Sequence, residues 1–349
     1  MTTEATAAQL EARHLTRHFN TSGGSGFFGA KRVVRAVDDV SLRLNAGRVT
    51  AVVGESGSGK SVLARMLARI IVPTSGELLL NGVPIDVHSK RTLDYTSQVQ
   101  LVLQDPFASV NPVHKVRHSL ERPLLIHGAT KADVESLAFA ALERVALDPP
   151  ARFFDRYPHE LSGGQLQRIS IARALCVKPK VLLADEPISM LDVSVRLGVL
   201  NLLRGLCDNE QLAILYITHD IASARYIADE TIVMYAGQVV EQSTGTTLID
   251  APTHPYTQLL IASVPDPADP TRAMPEKVDH VTQVSIASQG CRFSPRCPHV
   301  MDVCRTNEPP VVEVGDGHVS RCWLHNKSGK VAVDVGLPDT QRGGTITKK

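Results

Sequence analysis

The chain has 349 residues, enough for two domains and a sizeable core. With 43% hydrophobic and 21% charged residues and a formal net charge of +1, it reads as a globular protein with no electrostatic drive toward nucleic acid or an anionic membrane surface. No apolar run approaches the ~18–20 residues that span a bilayer. The opening MTTEATAAQLEARHL carries acids and nothing like a signal-peptide core, so a reducing cytosol is the expected compartment.

In chain order, FNTSGGSGFFGAKRVV (Phe19–Val34) reads as a Gly-rich loop between two strands. RVTAVVG (Arg48–Gly54) is a buried strand, and SVLARMLARII (Ser61–Ile71) has helical periodicity that stops before Pro73. From Gln104 to about Pro158 the pattern is helical, as in KADVESLAFAALERVAL (Lys131–Leu147). KVLLADEP (Lys180–Pro187) and LAILYITHD (Leu212–Asp220) are again short buried strands. Strands alternating with helices predict a largely parallel α/β core. SVPDPADPTRAMPEK is Pro-rich and polar, a linker over 263–280. The expected organisation is a nucleotide domain over 1–262 with a helical subdomain at about 105–160, this linker, a Cys-rich module over 281–325 and a flexible tail over 326–349. No internal repeat is visible.

GESGSGKS (Gly54, Glu55, Ser56, Gly57, Ser58, Gly59, Lys60, Ser61) fits the phosphate-binding pattern G-x-x-x-x-G-K-[ST], with a strand before it and a helix after it. Small residues let backbone N–H groups curl around a phosphate chain, and the helix N-terminus adds a positive dipole. Lys60 supplies a point charge to the β/γ-phosphates and Ser61 a hydroxyl to Mg²⁺. VLLADE (Val181–Glu186) ends a strand in two carboxylates, at the strand edge where open α/β sheets bind ligands. Asp185 is placed to hold the Mg²⁺ hydration shell, and Glu186 to polarise an attacking water.

LSGGQLQRISIARAL (Leu161–Leu175) resembles the signature motif and helix of ABC-type ATPases, and the resemblance runs over nearly the whole chain. Ser162, Gly163, Gly164 and Gln165 open that helix. On the same resemblance Gln104 in LVLQDP is the Q-loop glutamine and a Mg²⁺ contact, SMLD ending at Asp192 is the D-loop, and His219 in YITHD is the switch histidine. Phe19 falls where the family stacks an aromatic on adenine, and Val62 stands where the phosphate loop commonly continues with threonine. PISMLD replaces the commoner PTSALD; neither departure removes a catalytic group. The resemblance implies ATP and Mg²⁺ as cofactors, and an ATPase whose signature covers the ATP of a partner nucleotide domain, head to tail.

QDPFASVNP, DEPISMLDVSV, PTHPYTQLL and GCRFSPRCPHVMDVC are similar to hallmarks of the dipeptide/oligopeptide/nickel importer ATPases, and GFFGAKRVVRAVDDVSL to their OppF/DppF type. That implies a second, distinct ATPase subunit as heterodimer partner, two permease subunits, and indirectly an extracytoplasmic substrate-binding protein. The chain would then sit at the cytoplasmic face of the membrane, with peptide the leading substrate over nickel or sugar. Soluble relatives that act on DNA carry a long coiled coil, for which the interval from Gln104 to Leu161 leaves no room. Ribosome-acting members carry two nucleotide domains, and exporters typically fuse a membrane domain. A redox sensor with an ATPase attached is the remaining alternative.

Cys176 and Cys207 fit helical patterns as packing residues. Cys291, Cys297, Cys304 and Cys322 have five, six and seventeen residues between them. Disulfides suit a cytosolic ATPase poorly, and zinc usually takes closer Cys pairs. A structural [4Fe–4S] cluster on these four thiolates is the expectation, with Zn²⁺ as the alternative, and Arg292, Arg296 and Arg321 beside them to offset its charge.

Overall fold

The computed structural model describes residues 9–22, 31–264 and 289–326. The expected linker and tail fall outside these apart from Ser263, Val264 and Asn326.

Two sheets and a ring of helices make up the fold. Strands β1 (Leu10–Ser22), β2 (Lys31–Leu44), β4 (Ser75–Leu80) and β5 (Val83–Ile85) form an antiparallel sheet in the order β2-β1-β4-β5. The second sheet contains β3 (Val49–Val53), β6 (Val99–Val102), β7 (Val181–Asp185), β8 (Ala213–Thr218), β9 (Glu230–Tyr235), β10 (Gln238–Thr244), β11 (Val311–Gly315) and β12 (His318–Arg321). Its order is β11-β12-β10-β9-β3-β8-β7-β6. From β9 to β6 every pairing is parallel; from β9 outward to β11 every pairing is antiparallel.

The parallel strands are buried on both faces, which is why they read as unbroken apolar runs. Side chains alternate between two cores with period two. In β8, Ile214 and Tyr216 join the core beneath the helical subdomain. Ala213, Leu215 and Ile217 face the antiparallel sheet and helix α1 (Lys60–Leu67). The helices α2 (Leu93–Gln98), α3 (Pro106–Ser109), α4 (Val116–Ile126), α5 (Val134–Arg144) and α6 (Ala151–Phe154) follow in sequence, α3–α6 within residues 105–160. Then come α7 (Gly163–Leu175), α8 (Val193–Glu210), α9 (Ile221–Ile227), α10 (Thr247–Asp250), α11 (Pro255–Ala262) and α12 (Asp302–Thr306). Among the described residues no helix is long and apolar enough to cross a membrane.

Two expectations are corrected. The stretch Phe19–Val34 is not loop throughout: Phe19 pairs with Val34 and Ser22 with Lys31 in the β1–β2 hairpin, because cross-strand pairing carries the strands past the first polar residues. Only residues 23–30 lie outside the description. Nor is the C-terminal segment a separate module. Strands β11 and β12 extend the main sheet through β10, with Glu241 opposite Ser320 and Gln242 opposite Val319. Phe293 is 1% exposed within the main core, against Tyr235, Tyr256 and His254. A segment this poor in aliphatic residues has no interior of its own, so it borrows the nucleotide domain's.

The join is polar as well as apolar. Glu241 on β10 is fully buried. It accepts hydrogen bonds from the Thr253 and His254 amides at 2.7 and 2.9 Å, and its Oε1 lies 2.7 Å from His318 Nε2 on β12. Burial alone would raise the Glu241 pKa; the bonds from His318 and these amides outweigh it and hold the carboxyl below its usual range. His254 caps α11, its Nδ1 accepting from the Tyr256 amide at 3.0 Å. Burial pushes its pKa down to about 4, against the pull of Glu241.

Both groups bind protons more readily in the unfolded chain, so both favour folding at higher pH. The His254 contribution is complete above pH 6.5 and is lost as pH falls toward about 4; a shift of that size is worth about 3 kcal/mol. The Glu241 contribution is lost below its ordinary value of 4.5. Thermal melts should therefore show the melting temperature dropping across pH 6.5 to 4, with a shallower drop in His254→Asn. A flat wild-type profile over that interval would contradict this account.

Candidate nucleotide site

The ends of β3, β7 and β8 form one edge of the sheet. The loop Gly54–Gly59 runs from β3 into α1, as its sequence context requires. Gly57 and Gly59 have φ of 81° and 102°, conformations that side chains resist. At Gly59 a Cβ would also lie 2.1 Å from the Ala36 carbonyl oxygen. Gly54 has its own constraint, since a Cβ there would lie 2.2 Å from the Met234 carbonyl oxygen. The loop is thus wedged between the first sheet and the β9–β10 turn.

Lys60 is 4% exposed. Its Nζ donates to the Gly54 and Glu55 carbonyls at 2.7 and 2.9 Å and lies 3.4 Å from Ser58 Oγ. Burial lowers its pKa, with Glu186, Asp185 and Glu55 pulling the other way. Ser61 Oγ donates to Asp185 Oδ1 at 2.9 Å, bringing the two expected Mg²⁺ contacts together from positions 124 apart. Burial raises the Asp185 pKa, opposed by the Ser61 hydrogen bond and reinforced by Glu186. Val62 is half-buried against the core shared with the first sheet.

Glu186 follows β7 with φ 48°, unusual for a residue bearing a Cβ. Its amide donates to the Ile217 carbonyl at 2.9 Å, which ties the turn to β8. Two of the other expected site residues meet its carboxylate. Gln104 Nε2 donates to Glu186 Oε2 at 3.0 Å, and His219 Nδ1 lies 3.2 Å from the same oxygen. Gln104 and His219 are both exposed, and each reaches inward from the end of its strand, β6 and β8.

The signature lies elsewhere. Ser162 caps α7: its Oγ accepts from the Gln165 amide at 3.3 Å, and Gln165 Oε1 accepts from the Ser162 amide at 3.0 Å. Gly164 abuts α8, where a Cβ would lie 2.5 Å from Val195 Cγ1, and Gly163 faces Leu191. Asp192 precedes α8 and is exposed. Signature and D-loop are therefore neighbours. Among the described residues no hydrogen bond joins Leu161–Gln165 to Gly54–Ser61. Phe19, half-buried on β1, has the Arg17 guanidinium 4.6 Å from its ring centroid.

Sequence reasoning missed the contacts from the C-terminal segment. Tyr256 Oη accepts from the Glu55 amide at 2.9 Å, and Arg296 grips the Glu55 carboxylate through two nitrogens at 2.8 and 2.9 Å. Arg292 binds Asp38 and the Ala236 carbonyl, and Arg321 donates to the Val239 carbonyl at 3.1 Å. Each of these arginines has a partner in the nucleotide domain, a carboxylate for Arg292 and Arg296 and a backbone carbonyl for Arg321. Partners up to 254 positions away leave no local signal.

All four expected cysteine ligands line one small pocket, with His254, Phe293 and His299. The donor chemistry suits a metal, yet among the described residues no group of three or more His, Cys, Asp or Glu is arranged to hold an ion. Burial pushes the Cys322 thiol up to about 11, and raises Cys291 and Cys297. Burial also pushes Cys176 and Cys207 up to about 12 and 11, consistent with inert packing residues.

A phosphate loop, a paired Ser–Asp and a glutamate met by glutamine and histidine, with a capped Ser-Gly-Gly helix apart from them, define an ATP-hydrolysing ABC cassette. Residues 37–189 match the family described as ABC transporter. Residues 240–304 match that described as oligopeptide/dipeptide transporter, C-terminal region. The chain belongs to the ATP-binding proteins of oligopeptide/dipeptide ABC transporters. It is 40% identical over 350 residues to the "Probable peptide ABC transporter ATP-binding protein y4tS" of Sinorhizobium fredii, covering 97% of this chain and 98% of that one. It is 40% identical to the dipeptide transport ATP-binding protein DppF of Haemophilus influenzae, covering 85% and 91%. Among solved structures it resembles the dimeric ATP-binding cassette MJ0796 bound to ADP and Pi, with TM-score 0.57 and 26% identity over 67% of this chain and 98% of that one. Another is cbiO1 of Clostridium perfringens, part of an ABC transporter complex, with TM-score 0.60 and 26% identity over 70% and 92%.

Proposed function

We propose that this chain powers a binding-protein-dependent peptide importer from the cytoplasmic face of the membrane. The observation that carries the catalytic part is the meeting of Gln104 and His219 on one oxygen of Glu186, beside the Ser61–Asp185 pair. Glu186 is the general base for the attacking water, and His219 the contact to the γ-phosphate. Ser61, Asp185 and Gln104 would hold Mg²⁺, Gly54–Val62 would cradle the phosphates, and Phe19 would stack on adenine. Mg²⁺ supplies charge neutralisation on the phosphates when bound.

The separation of signature from phosphate loop supports a head-to-tail partner, whose ATP is covered by Ser162–Gln165 with Asp192 alongside. That partner is a related but distinct ATPase subunit. Phe107 and Val113 are 52% and 71% exposed just past Gln104, apolar surface suited to two permease subunits. An extracytoplasmic binding protein delivers the substrate to them, and the peptide class follows from what the relatives transport.

We further propose that Cys291, Cys297, Cys304 and Cys322 hold a [4Fe–4S] cluster, with zinc as the alternative. The shared pocket supports this reading. The group would cross-link the segment that joins β12 to the P-loop side of the sheet.

Glu186→Gln should keep nucleotide binding and slow hydrolysis by about 10²–10⁴-fold. His219→Ala should do likewise, measured on the assembled complex with the partner site inactivated; near-normal turnover would reject the assignment. A tag on this chain should bring down two permeases and a second ATPase. Two copies of this chain with no second ATPase would refute the heterodimer. Anaerobically purified protein should be brown with about four irons per chain. Colourless protein with one zinc would replace the cluster, and protein with neither would remove the metal.

A further inference from the structure

We propose that Arg296 is a positioning residue for the nucleotide site: by clamping Glu55, it lets the C-terminal cysteine segment set the shape of the phosphate loop. This rests on the reading of Gly54–Ser61 as the ATP cradle.

Three observations lead there. The first is the clamp itself. Arg296 Nη1 and Nη2 reach Glu55 Oε2 and Oε1 at 2.8 and 2.9 Å, a parallel fork on the second residue of the loop. The Arg296 side chain is 11% exposed, so the pair is only partly screened by water. Its guanidinium carbon lies 5.8 Å from the ring centroids of both Tyr235 and Phe293, which limits where the fork can point.

The second is that the clamped residue is held from the other side too. The Glu55 amide donates to Tyr256 Oη at 2.9 Å, and Tyr256 packs on Tyr235 and Phe293. Side chain and backbone of Glu55 are thus held by Arg296 and Tyr256, both of which sit against Tyr235 and Phe293. The Glu55 carbonyl accepts from Lys60 Nζ, so a shift of Glu55 moves an acceptor of the phosphate-binding lysine.

The third is a parallel route from the same segment. Arg292 binds Asp38 and the Ala236 carbonyl. The Asp38 amide donates to the Gly237 carbonyl, and the Gly237 amide donates to the Ser58 carbonyl, each at 2.9 Å. The cysteine segment therefore grips the loop directly at Glu55 and, through two more hydrogen bonds, at Ser58. Cys291 and Cys297 flank the two arginines in sequence, so whatever the four thiols hold is mechanically joined to the loop.

The test is a double-mutant cycle on the full chain, read by binding of a fluorescent ADP analogue with Mg²⁺ and by KM and kcat of the assembled complex. Arg296→Ala should weaken nucleotide affinity about tenfold, a loss of about 1.4 kcal/mol. KM should rise with it while kcat stays within about twofold. Arg296→Lys, which keeps the charge without the fork, should recover part of the loss. Glu55→Gln removes the charge and one of the two acceptors of the clamp from the loop side and leaves the cysteine segment unaltered, so it serves if Arg296→Ala fails to fold. The double variant should be no weaker than the weaker single. Wild-type affinity in Arg296→Lys and Glu55→Gln, effects that multiply in the double variant, or a fall in kcat at unchanged KM would overturn the proposal. Lys60→Ala separates the two levels: if it still binds nucleotide normally, the cradle reading itself fails, and the inference with it.

Discussion

The site depends on three parallel strands ending flush. Val53 of β3 stands opposite Thr218 of β8, and Asp185 of β7 opposite Ile217. The next residues, Gly54, Glu186 and His219, therefore emerge together at one edge. Burial on both faces pins this register. A slip of one residue in β8 would exchange Ile214 and Tyr216 with Leu215 and Ile217 between two cores shaped for different neighbours. The geometry of this edge is thus a by-product of apolar packing well below it.

Charge is then buried at this edge. Asp185 and Lys60 are both buried, and burial pushes each toward its neutral form, the acid up and the ammonium down. Their mutual attraction and the Ser61 hydrogen bond work against that. The left-handed Glu186 adds a backbone contribution: its turn is tied to β8 through the Ile217 carbonyl, which aims the carboxylate between Gln104 and His219.

What was legible in the sequence follows from range. The phosphate loop, the acidic strand end and the capped signature helix are local: strand, turn and cap are written in contiguous residues, and the structure places them accordingly. The meeting of Gln104, Glu186 and His219 was legible only as a resemblance, since nothing in three separate strand ends states that they converge. The β1–β2 hairpin was read too short because Asn20, Thr21, Lys31 and Arg32 look like loop until a partner strand is present. The roles of Arg292, Arg296 and Tyr256 were not legible, each depending on a partner some 200 or more positions away.

The same range effect hid the standing of the C-terminal segment. By composition it looked appended. In the structure β12 covers the edge of β10, and that cover has an electrostatic purpose beyond blocking an open strand. Glu241 is fully buried on β10, and His318 of β12 is one of the groups that face it. A nucleotide domain cut before this segment would keep a buried carboxylate while losing its histidine partner, a costly exchange in a low-dielectric interior. It would lose Phe293 from its packing on Tyr235 and Tyr256 as well, and with it part of the wall on which Tyr256 holds the Glu55 amide. The boundary drawn by composition at residue 263 is therefore not a boundary in energy: the sheet that carries the nucleotide site is completed only by strands on its far side.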